Sequence, residues 1–142
     1  MQIGVETSRA VDNKRIFVVD EDEIFRAALQ FMLHDENETH EVASLDQAYV
    51  KALESRPDLI LLARSILAEQ GTSVVSDIKT AIPGVKVLVV ADSLNDTIAT
   101  EAIRAGASGA VAKPLKLENV RDKVDQMLGR KTAFDIQFTI LS

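Results

Sequence analysis

Leu59-Ile60-Leu61-Leu62-Ala63, led in by Pro57-Asp58, is five apolar residues in a row with no polar residue among them. A strand with one wet face alternates polar and apolar residues, whereas a strand covered on both faces reads as a continuous apolar run. Two more such runs flank it in the chain, Ile16-Phe17-Val18-Val19 and Val87-Leu88-Val89-Val90-Ala91. Weaker strands fit at His40–Ser44 and Ala110–Ala112. Together they predict a parallel sheet with helices on both sides.

Helix-period stripes lie between the runs. Ile24, Ala28, Phe31 and Met32 share one face after an acidic first turn, and Val74, Val75 and Ile78 form a second stripe. Ile98, Ala102 and Ile103 form a third. Leu117, Val120, Val124, Met127 and Leu128 are the cleanest, opposite charged Arg121, Asp122 and Asp125. Pro57, Pro83-Gly84 and Gly106–Gly109 break the pattern just before strands. This β-α alternation argues for a doubly wound α/β domain over residues 15–129. Residues 1–14 read as a flexible leader. In the tail, 130–142, Phe134, Ile136, Phe138 and Ile140 alternate with Asp135, Gln137 and Thr139, the period of a half-buried strand or linker.

At 142 residues the chain is long enough for one sizeable core. Its net charge of −6 disfavours a non-specific grip on nucleic acid. The absence of cysteine removes disulfide, thiol and thiolate-zinc chemistry and fits a reducing cytoplasm. No apolar run reaches the length of a membrane span. His34 and His40 have no metal-ligand spacing and are expected to be solvated, and Asp58 is expected to serve the start of a strand.

In open α/β sheets, functional groups collect at the carboxyl ends of the strands. Those ends carry Asp20-Glu21-Asp22, Ala63-Arg64, Ala91-Asp92-Ser93 and Lys113-Pro114. With Ile16–Glu21, Pro57–Leu62, Gly71, Lys86–Val90 and Ala105–Gly109, in this order and spacing, the chain resembles the response-regulator receiver family over about residues 15–129. The resemblance implies a flavodoxin-like three-layer sandwich with a five-stranded parallel sheet of order 2-1-3-4-5. It also implies a signalling module of the two-component, phosphorelay type rather than an enzyme, and a cis bond at Lys113-Pro114.

Carried over residue by residue, the resemblance puts the metal-binding acidic pair on Asp20 and Glu21 and the phosphate-gripping lysine on Lys113. The phosphoacceptor position falls on Ala63, the switch hydroxyl on Ala91 and the switch aromatic on Ala110. Alanine has neither nucleophile nor metal ligand, so no aspartyl phosphate forms at residue 63. A site short of one carboxylate holds Mg²⁺ weakly at most, and no cofactor is expected. Lys113, without its acceptor carboxylate, is free to pair with Asp20 or Glu21, and Arg64 is expected to be solvated, the alternative being that it folds into the vacancy.

The expected role is therefore a degenerate receiver acting without phosphorylation through a protein partner or a homodimer, within a histidine kinase pathway. Its surface would be the family's face of fourth helix, fifth strand and fifth helix, with Glu101, Arg104, Arg121, Asp122 and Asp125. One rival is phosphorylation at Asp20, Asp22 or Asp92. Another is an N-terminal regulatory module of a larger effector or ATPase. A flavin or nucleotide enzyme is disfavoured, because acidic residues stand where a glycine-rich phosphate loop belongs.

Overall fold

In the computed structural model, residues 13–130 are described. Apart from residues 13, 14 and 130, the expected leader and alternating tail lie outside them. Five strands run β1 (Arg15–Val19), β2 (Glu38–Val42), β3 (Leu59–Ala63), β4 (Lys86–Ala91) and β5 (Gly109–Ala112). Six helices separate and follow them: α1 (Glu23–Leu33), α2 (Leu45–Glu54), α3 (Arg64–Gln70), α4 (Val74–Ala81), α5 (Thr97–Arg104) and α6 (Leu117–Met127). The sheet is wholly parallel, in the order β2-β1-β3-β4-β5.

The apolar runs behave as their composition requires. Every residue of β3 is buried, with alternate side chains entering two separate cores. Phe17, Ile60, Leu62, Val87 and Val89 pack under α2–α5, and Ile16, Val18, Leu59, Leu61 and Leu88 pack under α1 and α6. Asp58 does its start-of-strand job by accepting the Arg15 N–H at 2.9 Å, which joins β1 to β3.

Four expectations are corrected. The β2 strand begins two residues earlier than expected and also ends two residues earlier. Ala43 and Ser44 lie beyond its end, and Ser44 caps α2 by accepting the Gln47 N–H. His40 is half-buried within β2, not solvated, bonding Glu38 at 2.7 Å and meeting the Phe17 ring edge-on. On α1 the buried residues are Leu29 and Leu33, while Ile24 and Phe31 are 78% and 72% exposed. Apolar residues surround this helix, so several stripes fit and packing selects the one that meets β1. On α5, Ala99 and Ala102 turn inward and Ile103 outward. The α3 helix is an addition to the expected elements, so the family's fourth and fifth helices correspond here to α5 and α6. It starts directly from Ala63 without a side-chain cap and ends at Gly71, whose φ of 93° suits glycine.

Candidate functional site

The carboxyl ends of β1, β3, β4 and β5 surround a pocket of about 180 Å³. Asp20, Asp22, Phe25, Ala63, Arg64 and Lys113 are among the residues lining it, with Asp92 from the β4–α5 loop. Asp20 follows β1 and is almost fully buried. Its backbone N–H donates to Val42 at 3.1 Å, and its Oδ1 accepts the Asp22 N–H at 2.8 Å. Burial raises the Asp20 carboxyl above the ordinary aspartate range, against the pull of that N–H. Asp22 caps α1, accepting the N–H groups of Ile24 and Phe25. Glu21 is exposed and does not line the pocket.

Ala63 is the last residue of β3 and only 6% exposed. Ala91 ends β4 fully buried, with its carbonyl accepting the Lys113 N–H at 3.0 Å. Ala110 packs half-buried against the core under α2–α5. The Lys113-Pro114 bond is cis, as expected.

The two cations take partners that the sequence does not announce. Lys113 does not pair with Asp20 or Glu21. Its Nζ lies 3.9 Å over the Phe25 ring and 3.7 Å from Asp92 Oδ1. Arg64 is not solvated: its Nε donates to Asp96 Oδ2 at 2.7 Å and lies 3.5 Å from Asp92 Oδ2. Asp96 caps α5 and also accepts the N–H groups of Asp92 and Ile98. Burial pushes its carboxyl up, but these three donors outweigh that and hold it below the ordinary range.

This donor set does not fit a resident octahedral ion. Ala63 offers no oxygen side chain, Glu21 does not line the pocket, and among the described residues no group of three acidic, histidine or cysteine side chains is placed to hold a metal.

The response regulator receiver domain model matches residues 16–125. The chain belongs to this family. Among curated relatives, Protein CcdB of Bacillus subtilis is 29% identical over 117 residues, covering 81% of this chain and 98% of that protein. The DNA-binding transcriptional activator DevR/DosR of Mycobacterium tuberculosis is 29% identical over 120 residues, covering 82% of this chain and 55% of the activator. The chain thus spans about half the length of several regulators it matches. Among solved structures, the receiver domain of NtrX from Brucella abortus superposes with a TM-score of 0.72 at 26% identity, covering 82% of this chain and 99% of that one. A response regulator from Thermotoga maritima shares the fold with a TM-score of 0.75 at 20% identity, covering 82% and 98%. This is a two-component receiver domain, a signalling module. None of the receiver's described helices is long and apolar enough to cross a membrane.

The structure places the five surface residues unevenly. Glu101 and Arg104 are exposed on α5. Arg121 instead turns to the end of α1, donating to the Met32 carbonyl at 2.9 Å and lying 3.5 Å from Asp35. Asp125 is half-buried beside Arg130 at 3.5 Å, and Asp122 is half-buried. Charge opposite an apolar stripe does not by itself mean free charge, since α1 and α6 are neighbours and share it.

Proposed function

We propose that this receiver signals without phosphorylation, presenting a fixed surface to a protein partner or a second copy. The observation that carries the reading is Ala63, the end of β3 at the floor of the pocket, where the resemblance places the phosphoacceptor. A methyl group cannot attack phosphorus or hold a metal ion. Ala91 and Ala110, at the two switch positions, remove the hydroxyl and the ring that would report a bound phosphoryl group. Arg64 and Lys113, the cations that line the pocket, are already engaged by Asp96, Asp92 and Phe25.

Of the five charged residues expected on the surface, Glu101 and Arg104 of α5 are the ones left exposed to meet a partner, with Ile103 between them 46% exposed. The deciding experiment is incubation with a small phosphodonor and Mg²⁺ followed by intact mass. An unchanged mass is expected. A gain of one phosphoryl group would overturn the reading and point to Asp20, Asp22 or Asp92.

A second reading concerns what the receiver is attached to. The chain covers only about half of several regulators it matches, which favours a regulatory module of a longer effector. An antibody against residues 13–130 would show this by detecting a product well above 15.5 kDa in native lysate. A product of that size alone would exclude it.

A further inference from the structure

Three successive strand ends are joined by one run of alternating charge. Lys113, after β5, faces Asp92 Oδ1 at 3.7 Å, while Asp92, after β4, faces Arg64 at 3.5 Å through its other oxygen. Arg64, after β3, donates to Asp96 at 2.7 Å. The Asp96 side chain is 3% exposed and fully engaged. Its Oδ2 takes Arg64 and the Asp92 N–H at 3.1 Å, and its Oδ1 takes the Ile98 N–H at 3.0 Å. One carboxylate therefore caps α5, closes the loop before it and receives a guanidinium from the start of α3. The two helices also pack against each other.

A carboxylate this deeply desolvated is costly without a counter-charge. Arg64 is the closest cation to it, and its Nε reaches both carboxylates, 2.7 Å from Asp96 Oδ2 and 3.5 Å from Asp92 Oδ2. Lys113 supplies the opposite end of the run but makes no ion pair with Asp96 at this range.

We propose that Arg64 is a positioning residue whose ion pairs with Asp96 and Asp92 lock the β4–α5 loop and the start of α5 in one arrangement. The lock does the bridging that a phosphoryl group, gripped from several strand ends at once, would otherwise do. That functional meaning rests on the phosphorylation-independent reading; the positioning itself does not. Residue 64 thus becomes the point from which the α5 surface, with Glu101 and Arg104, is held in place. A receiver locked this way gains a constant face without any chemical input.

Hydrogen exchange on the unmodified, metal-free chain tests the lock, and it is independent of the phosphodonor result. Arg64→Met keeps most of the apolar stem and removes the charge. Exchange across residues 92–105 is expected to rise about tenfold, or roughly 1.4 kcal/mol, while β1, β2 and α1 keep their protection. Unchanged exchange at 92–105 in Arg64→Met would overturn the proposal. If Arg64→Met instead loosens the chain evenly, Arg64→Lys decides. Partial return of protection confined to 92–105 supports a charge-borne lock, and loosening equal to that of the methionine variant refutes it.

Discussion

Lys113 of β5's outgoing end holds its ammonium 3.9 Å over the ring of Phe25 on α1, so an aromatic face from across the pocket steadies the lysine. Asp92 also approaches this ammonium, at 3.7 Å. The group that the family uses to grip phosphate is thus satisfied inside this chain. A cation over an aromatic ring at a partly exposed site contributes about 0.5–1 kcal/mol. Phe25→Leu, Lys113→Met and the double variant should give a coupling energy of that size in urea denaturation. A coupling near zero would mean that the two side chains only share space.

Ala63→Asp puts a carboxyl at a position 6% exposed, next to the already burdened Asp20. In metal-free buffer this should cost about 1–3 kcal/mol, the usual penalty for an imperfectly satisfied buried polar group. Millimolar Mg²⁺ should return part of it, because an ion that binds only the folded state stabilises it. On the phosphorylation-independent reading proposed above, the α5 resonances should shift little on Mg²⁺ or phosphodonor addition, since that reading puts alanine, at 91 and 110, in both switch positions. Large shifts on α5 would show that restoring one carboxylate rebuilds the relay.

How much of this was legible follows from how local each signal is. The β3 run and the spacing of strand ends gave the sheet, because burial on both faces leaves a mark within five residues. The roles assigned to Ala63, Ala91 and Ala110 come from the resemblance, counted against neighbouring residues; the structure adds their places, at the end of β3, at the end of β4 and within β5. Arg64–Asp96 spans 32 positions and Arg121–Met32 spans 89, and no periodicity encodes such pairs. The face of α1 misled because Ile24, Phe25, Ala28, Leu29, Phe31, Met32 and Leu33 surround the helix. Which of them lies inward is decided by β1 and α6, not by α1.

That correction is itself measurable. Phe31→Ser removes a large side chain that is already 72% exposed and should change stability by less than about 0.5 kcal/mol. Leu29→Ala empties a site 1% exposed and should cost about 2–5 kcal/mol. Equal costs in urea denaturation would place the inward face of α1 where the sequence pattern first put it.

Acid stability should follow Glu38. Arg15, by a hydrogen-bonded ion pair, and His40 hold the Glu38 carboxyl down to about 2 from an ordinary 4.5. A depressed carboxyl adds stability that is present above the unfolded value and is lost as pH falls from about 4.5 toward 2. Asp20 acts in the opposite sense: burial raises it, so its ionisation costs stability as pH climbs above the ordinary aspartate range. Glu38→Gln should therefore flatten the acid limb of the stability curve. Asp20→Asn should raise Tm near neutral pH by roughly 3 °C, keeping an oxygen for the Asp22 N–H. A lower Tm for Asp20→Asn would mean that its charge is needed in the pocket.

The uneven placement of the surface charges separates a folding role from a binding role. Arg121 reaches the Met32 carbonyl and Asp35 from α6, so it ties the last helix to the first. Arg121→Ala should lower stability by about 1 kcal/mol, since one hydrogen bond to a charged group and a half-exposed ion pair are lost. It should leave association intact, because its head group is turned toward α1. Glu101→Lys with Arg104→Glu reverses two exposed charges that have no hydrogen-bond or ion-pair partner among the described residues. That pair should leave the urea midpoint within about 0.5 kcal/mol and abolish partner capture or self-association, read by pull-down and by sedimentation. If the Arg121 variant alone lost the partner at matched stability, the binding face would lie on α1 and α6 instead of α5.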